Sequence, residues 1–453
     1  MKVERKDLDA LTAELTLVVE KTDYLPEYEK QLKEYQQKAQ LKGFRKGKTP
    51  LSIIKKMYGA ATMQESVSKI LGEKINDLIS GDEFNIIGEP LFLDEGNVPE
   101  IDHTMPDDYS YRFEVGLEPE FELKGAGEED SYVKRFVEIS DEMIDEEMKV
   151  AQERLGQQKE VDGPIEAGDI VYLKIHEKEN GEIKEGGLSS EFSVSWDKIY
   201  EKYQKQLEKA KLGDHLEINV FELEEGLDRD NVIKYFLKIN SDTDEAREVP
   251  ENELYDAEIT KITRLELAEM DQDFFDKYFG KDQVSNIEEA REKIREFLSS
   301  HFDNESTNLL NREIMEKLVE LNVFDLPKDF LKKWITREQE LEDDQFEAFL
   351  QEMKWRIIKK KLVKKHDIKV EEKEILEHFV QMIRNYSPYI DEASLKNTVF
   401  SLMKNREQVN NAVEAVSSTK LFDALREIVK IEESTISKDD FIERVQEINK
   451  RSQ

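Results

Sequence analysis

The octapeptide at residues 43–50 of this 453-residue chain reads Gly43-Phe44-Arg45-Lys46-Gly47-Lys48-Thr49-Pro50. Two glycines and a proline within eight residues predict a tight turn, because glycine accepts positive φ and proline fixes its own φ. Arg45, Lys46 and Lys48 supply donors for phosphate or carboxylate groups, and Phe44 suits a pocket or the face of a base. The sequence therefore predicts a compact docking loop for an anionic surface. The alternative is a solvated basic turn with Phe44 folded inward.

The charge of the whole chain makes this loop an exception. The chain has 67 basic and 103 acidic side chains, for a formal net charge of −36. This balance disfavours general binding to nucleic acids or anionic membranes, because long-range repulsion opposes both. From Tyr35 to Gln64, however, seven basic residues occur without an acidic one. Residues 1–112 have 16 basic and 21 acidic groups, so the N-terminal region is the part least repelled by phosphates.

The chain is too long for a single core, and its patterns predict a multidomain α+β protein of roughly three domains. Residues 1–115 form the first. Leu11–Val19 and Tyr111–Leu117 alternate as half-buried strands do, whereas Leu32 to Ala39 and Ala60–Ile79 have helical spacing. We expect these two strands to pair, with helices on one side of the sheet.

The pattern of residues 116–150 predicts a connector. It contains one strand, Tyr132–Ile139, and a helix capped by Ser140. Residues 151–245 predict a small β-rich domain, with a hairpin turn at Asn180-Gly181. Its expected strands are Ile170–Ile175, Phe192–Val194, Leu216–Phe221 and Val232–Ile239.

Residues 246–453 predict a large all-α domain. Eighteen of the 19 glycines precede residue 227, and the loss of glycine and proline afterwards indicates long helices with few turns. Within this part, a basic run from Lys354 to Lys365 is interleaved with apolar residues. A packed amphipathic helix with a solvated basic side is the favoured interpretation, and an RNA-binding helix is the alternative.

Several classes of protein lack support in the sequence. The absence of cysteine excludes disulfides and thiolate chemistry. The six histidines have no metal-ligand spacing, and no phosphate-binding Gly-rich loop is present, so we expect no metal, nucleotide or other cofactor. The charged N-terminus lacks the apolar segment of a secretory signal, and no run suits a membrane span. We therefore expect a soluble, cytoplasmic protein.

The octapeptide closely resembles Gly-Phe-Arg-x-Gly-x-x-Pro, the ribosome-docking signature of the bacterial trigger factor family. Asp276-Lys277-Tyr278-Phe279-Gly280 and Asn322-Val323-Phe324-Asp325-Leu326-Pro327 resemble parts of the helical C-terminal domain of that family. The order of the three predicted domains is also similar, so the resemblance covers essentially the whole chain.

This resemblance implies an ATP-independent chaperone of the bacterial cytoplasm that docks at the ribosomal exit tunnel and holds nascent or unfolded polypeptides. The implied contacts are with a tunnel-rim protein and nearby ribosomal RNA. Members of that family can dimerise, so the resemblance leaves a homodimer open for the chain off the ribosome. It implies no membrane and no nucleotide partner. The implied docking residues are Gly43, Phe44, Arg45, Lys46, Gly47, Lys48 and Pro50.

In that family the middle domain resembles peptidyl-prolyl isomerases of the FK506-binding (FKBP) type, which bind proline in an apolar, aromatic cleft. Here Ile175 begins Ile-His-Glu where an aromatic residue and Thr-Gly are usual, and Lys184 replaces a phenylalanine. The usual glycine-rich stretch is replaced by residues 195–202, which include Tyr200, and only Tyr203 matches the aromatic floor. Because charge disrupts an apolar cleft, we expect an FKBP-like fold with little or no activity.

Two rival functions follow from the same features. A prolyl isomerase acting on unfolded proteins is the first alternative, and the replaced cleft residues speak against it. A periplasmic chaperone of similar helical build is the second, and the N-terminus without a signal and the intact docking loop argue against that.

Overall fold

The structure is a computed structural model and describes residues 1–81, 83–94, 96, 98–179, 181–239, 253–337 and 341–451. The strands are β1 (Lys2–Asp7), β2 (Thr12–Val19), β3 (Ile86–Phe92), β4 (Tyr109–Leu117), β5 (Ser131–Val137), β6 (Gln157–Glu160), β7 (Ile170–Glu179), β8 (Glu182–Ile183), β9 (Ser189–Ser195), β10 (His215–Asn219), β11 (Leu254–Glu266) and β12 (Lys430–Ile436). The helices are α1 (Lys21–Lys38), α2 (Leu51–Ser80), α3 (Asp141–Leu155), α4 (Glu201–Leu207), α5 (Arg229–Asn231), α6 (Gln272–Phe279), α7 (Ile287–Leu321), α8 (Lys328–Ile335), α9 (Asp343–Lys365), α10 (Glu372–Tyr386), α11 (Glu392–Lys404), α12 (Arg406–Ile428) and α13 (Lys438–Arg451).

The chain divides into two compact units, the first formed by Met1–Val137 with Asn304–Gln453 and the second by Glu138–Asp303. Among the described helices, none combines the length and the apolar composition that crossing a bilayer requires.

The N-terminal sheet of the first unit has the strand order β1-β2-β4-β3. Strands β2 and β4 are antiparallel, with Leu15 opposite Phe113, which confirms the predicted pairing. Residues that alternate along β2, such as Leu15 and Leu17, are buried against residues of α1 and α2, such as Tyr24 and Ile54. Strands β1 and β3 were not predicted. Both contain exposed positions that interrupt a clean alternation.

Helix α8 packs on this sheet from the helical region. Phe330 is completely buried in a cluster with Ile87 of β3 and Met353 of α9. Gly116 of β4 permits this approach, because a Cβ at that position would lie 2.6 Å from the Phe330 ring. The N-terminal sheet and the helices after residue 304 therefore share one core.

The long helices predicted for the C-terminal part are present. Helix α7 buries Leu310, Ile314 and Leu318 against Ile358 and Leu362 of α9. Helices α10, α11 and α12 form a separate small core, to which each contributes apolar side chains. The predicted packing of the basic run is thereby confirmed for the apolar face of α9, which lies in the core shared with α7 and in the one shared with α8.

Two strands correct the expectation of an all-α segment after residue 246. Strand β11 has the period of two in its buried residues, Tyr255, Ala257 and Ile259, and scarce glycine and proline imply few turns without excluding strands. Strand β12 is mostly exposed and pairs in parallel with β5 of the predicted connector. The connector is therefore bound within the fold along β5. The expected boundary between residues 245 and 246 lies outside the described residues.

The second unit contains a sheet with the order β10-β11-β7-β8, in which β6 pairs with β11 and β9 with β7. The expected strand Val232–Ile239 is wrong, because Val232–Phe236 is a helical turn. Val232 and Phe236 lie four residues apart and are both buried, which is the helical period. The predicted Ser140 cap is confirmed, since its side chain accepts from the Met143 N–H. Asn180 of the predicted hairpin turn lies outside the described residues.

Candidate functional site

The loop at residues 39–50 joins α1 to α2 and is built by its own backbone. The Phe44 N–H donates to the Leu41 carbonyl at 3.0 Å, and the Lys48 N–H donates to the Arg45 carbonyl at 2.9 Å. Gly43 and Gly47 have φ of 95° and 73°, the left-handed region that glycine adopts without strain. The loop therefore consists of two successive tight turns, at residues 41–44 and 45–48.

The base of the loop is fixed to both helices. The Gln36 side chain donates to the Thr49 carbonyl at 2.6 Å, and Thr49 is completely buried. Tyr35 of α1 and Tyr58 of α2 stack, with ring centroids 5.3 Å apart. Gln36, Tyr35 and Tyr58 were not predicted as part of the site, although the two tyrosines flank the basic octapeptide in sequence. They hold the loop as a defined turn.

The side chains at the tip of the loop point to solvent. Phe44 is 40% exposed, and Arg45, Lys46 and Lys48 are exposed as well. Within the described residues, no ion pair involves these three cations. Thus the geometry differs from a basic turn with an inward Phe44, and it leaves an aromatic ring and three charges available to a partner.

The residues predicted for a degenerate isomerase cleft divide into two groups in the second unit. Ile175 and Tyr203 are buried in the same hydrophobic cluster, and the Tyr203 hydroxyl accepts from the Asn219 N–H at 2.8 Å. Lys184 and Tyr200 are more exposed and lie outside this cluster. The structure therefore brings Ile175 and Tyr203 together as core residues.

Lys184 belongs to a local charge pair. Its ammonium donates to Glu177 at 2.8 Å, and the other Glu177 oxygen accepts from the Leu188 N–H at 2.9 Å. The hydrogen bond to Glu177 raises the pKa of Lys184 above its ordinary value. A lysine in the place of a cleft aromatic thus stabilises a buried carboxylate.

Several aromatic residues of the second unit pack in its core. Phe192 and Phe236 stack with centroids 4.0 Å apart, and Trp196 and Tyr203 are buried in the same cluster. Tyr255 is completely buried, and this burial raises its pKa to about 12. These five rings are interior side chains of the domain.

The end of α10, the turn after it and α11 contain a third set of candidate residues. Tyr386 and Tyr389 are almost completely exposed on either side of Pro388, and Phe400 is also exposed. We call Tyr386, Tyr389 and Phe400 the arm set. Sequence reasoning did not single them out, although a proline between two tyrosines in a helical region signals an exposed turn. Exposed large apolar side chains on a highly charged chain are suited to contacts with other proteins.

Among the described residues, no group of three or more histidine, aspartate or glutamate side chains is arranged to hold a metal ion.

Three protein-family models match successive parts of the chain. Models described as bacterial trigger factor protein, as the FKBP-like domain of a probable trigger factor, and as the C-terminal domain of a probable trigger factor match residues 1–151, 158–267 and 306–444. The chain belongs to the trigger factor family. Its multidomain α+β architecture, with an FKBP-like domain and a large helical C-terminal region, is that of the family.

Proteins named trigger factor from three bacteria are among the relatives. The protein of Hyphomonas neptunium is 22% identical, over 97% of this chain and 98% of that protein. The proteins of Chloroherpeton thalassium and Haemophilus ducreyi are 24% and 26% identical, over 74% and 72% of this chain and 72% and 70% of their own lengths. A solved structure described under promiscuous substrate recognition in folding and assembly activities of the trigger factor chaperone is 18% identical, covers 94% of this chain and 99% of its own, and has a TM-score of 0.43.

Proposed function

We propose that this member of the trigger factor family is an ATP-independent chaperone of the bacterial cytoplasm that docks on the ribosome and binds nascent polypeptides. The docking site is the loop Gly43, Phe44, Arg45, Lys46, Gly47, Lys48 and Pro50. Its partners are a protein at the tunnel exit and nearby ribosomal RNA. The observation that carries this proposal is the exposed tip of a turn fixed at its base, where an aromatic ring lies beside cations that form no ion pair with any described residue.

Charge distribution supports docking through this loop alone. A chain with a net charge of −36 is repelled by RNA at long range, and repulsion between exposed charges is screened over about 10 Å at ordinary ionic strength. The loop lies in an acid-free stretch from Tyr35 to Gln64, so its tip can approach phosphates while the acidic remainder is kept away. The same acidic surface keeps exposed apolar side chains soluble.

The arm set supports the binding of unfolded segments. Tyr386 and Tyr389 are almost completely exposed, and Phe400 is largely exposed, with the Lys404 ammonium 4.0 Å from the centroid of its ring. Aromatic side chains contribute large contact areas, and scattered ones bind many sequences weakly. Weak, general binding is what a chaperone for nascent chains requires.

Co-sedimentation with ribosomes tests the docking site. Replacing Phe44, Arg45 and Lys46 with alanine should weaken binding at least about thirtyfold, since an aromatic or arginine anchor contributes about 2 kcal/mol or more. The matched control is Lys55→Ala with Lys56→Ala, which removes the same number of charges from exposed positions of α2. Ribosome binding by the triple variant equal to that of the control would refute the assignment.

Suppression of aggregation of an unfolded protein tests the arm set. Replacing Tyr386, Tyr389 and Phe400 with serine should reduce the suppression of aggregation. The control Gln381→Ser with Asn397→Ser changes neutral, exposed residues and should preserve it. Equal suppression by both variants would remove the arm set from the proposed client surface.

A further inference from the structure

A cavity of about 820 Å³ lies within the first unit, between the N-terminal sheet and helices α9 and α12. Its lining includes Ile87 and Gly88 of β3, Trp334 of α8 and Ser417 of α12. Its volume falls within the range of about 300–1,000 Å³ that is typical of ligand-binding pockets. The loop and the arm set do not line this cavity, so it is a separate feature of the molecule.

Helix α9 forms a wall that is both apolar and basic. Arg356, Lys360 and Lys364 line the cavity and recur every four residues, so they lie in one row along the helix. The other residues of α9 that line the cavity are the apolar Met353, Ile357 and Val363, together with Lys359. No acidic residue of α9 lines it, in contrast to the chain as a whole, where 103 acidic side chains exceed 67 basic ones.

Most of the cations around the cavity are held by internal partners. Lys360 pairs with Glu118 at 2.7 Å and Lys369 with Asp367 at 2.9 Å. Lys359 is buried and binds Glu414 and Ser418 of α12. These contacts neutralise part of the positive charge around the cavity.

Arg356 differs from these lysines. Its side chain is exposed and contacts the Met353 sulfur at 3.8 Å, and it forms no ion pair with any described residue. A guanidinium group presents a planar fork that matches a carboxylate. Trp334 of α8 and Val363 of α9 line the same cavity and are partly exposed apolar residues. A carboxylate and a large apolar side chain can therefore be bound in the same cavity.

Glu89 of β3 also lines the cavity and has no ion pair with any described residue. Its charge opposes the approach of an anion and so sets the strength of binding. Five cations and four carboxylates line the cavity altogether, and none of the four carboxylates belongs to α9.

We propose that this cavity binds segments of client polypeptides in which a large apolar side chain lies next to a carboxylate. The proposal rests on the proposed chaperone function and adds a preference among clients. It assigns Arg356 to the carboxylate and the partly exposed surface of Trp334 and Val363 to the apolar side chain.

Fluorescence anisotropy with two labelled, unfolded peptides tests this preference on the full chain. Both peptides contain the same phenylalanines, and each phenylalanine is followed by Glu in one peptide and by Gln in the other. The net charge of −36 alone would favour the Gln peptide, so tighter binding of the Glu peptide is the diagnostic result. Arg356→Gln should weaken binding of the Glu peptide about two- to fivefold, the range of an exposed ion pair, and leave the Gln peptide unchanged.

Two further variants complete the test. Lys354→Gln removes the same charge from α9 at a position that does not line the cavity, and it should change neither affinity. Glu89→Gln should strengthen binding of the Glu peptide. Equal effects of Arg356→Gln and Lys354→Gln would overturn the proposal.

The remaining outcomes separate this inference from the chaperone function. If the Gln peptide binds and Arg356→Gln has no effect on the Glu peptide, the inference alone fails. If neither peptide binds the wild-type chain, the chaperone function fails with it. Displacement of the Glu peptide by a short single-stranded RNA, abolished in Arg356→Gln, would assign the cavity to nucleic acid and also overturn the proposal.

Discussion

The docking loop and the FKBP-like domain use charged residues in opposite ways. In the loop, Arg45 and Lys46 are exposed and have no ion pair within the described residues. In the FKBP-like domain, Arg264 donates to both oxygens of the completely buried Asp169, at 2.8 and 2.9 Å. These hydrogen bonds raise the pKa of Arg264 further above its ordinary value. An exposed charge without an ion pair can bind a partner, whereas a charge already paired within the fold must first lose that pair.

The same contrast applies to aromatic residues. Phe44 is at the tip of a solvent-exposed turn, whereas Trp196 and Tyr203 are buried in the core of the FKBP-like domain. Family resemblance alone would assign binding to both regions. The exposure of individual side chains favours the loop.

The largest expected effect concerns isomerase activity. Because Trp196 and Tyr203 are buried in the core and Lys184 is bound to Glu177, we expect no twisted-amide site and a rate close to that of uncatalysed rotation. A protease-coupled assay on a proline-containing peptide measures this, with an active FKBP-type isomerase as the control. Turnover comparable to that of the control enzyme would contradict the prediction and show that the FKBP-like domain also binds a partner, as the loop is proposed to do.

Substitution of Asp169 should have the next largest effect. Asp169→Asn removes the buried carboxylate that Arg264 binds and leaves Arg264 paired only with Glu166, at 2.7 Å. The loss of these charge-assisted hydrogen bonds should destabilise the FKBP-like domain by about 2 kcal/mol. Denaturant unfolding followed by hydrogen exchange in residues 158–267 measures the change.

The control for that measurement is Glu201→Gln, which breaks an exposed pair with Lys205 on α4. It should change stability by less than about 0.5 kcal/mol. If Asp169→Asn is as mild as this control, the buried ion pair does not stabilise the FKBP-like domain.

A substitution that changes the backbone of the loop should have a smaller effect, on ribosome affinity. Gly47→Ala places a side chain at φ of 73° and should disfavour the docked turn by about 1 kcal/mol, which lowers ribosome affinity about fivefold. Gly72→Ala in α2, where a Cβ meets no atom within 4 Å, is the control and should preserve affinity. Unchanged affinity in Gly47→Ala would mean that the turn geometry is unimportant for docking.

Sequence patterns identified the parts whose signal is local. The alternation in β2 and β4, the Ser140 cap and the loop of residues 43–50 all depend on residues near each other in the chain. The helical spacing of α7, α10 and α12 is of the same kind.

The parts that sequence reasoning missed depend on distant partners or on exposure. Strand β12 pairs with β5 across about 300 residues, with Ile431 opposite Tyr132, and its mostly exposed residues have no amphipathic period. The alternation in β11 was visible in Tyr255, Ala257 and Ile259 but was outweighed by the scarcity of glycine and proline. Which aromatic residues remain exposed, such as Tyr386 and Tyr389, depends on packing that periodicity does not record.

The salt dependence of ribosome binding tests docking through the loop most directly. Labelled chain is titrated with ribosomes at several salt concentrations, for the wild type, for Arg45→Gln with Lys46→Gln, and for the control Lys55→Gln with Lys56→Gln. We predict that wild-type affinity falls as salt rises and that the loop variant lowers the slope of log affinity against log salt by about 2, because each of the two removed cations would neutralise one phosphate. The control should keep the wild-type slope, and a loop variant with the wild-type slope and affinity would contradict docking through the loop.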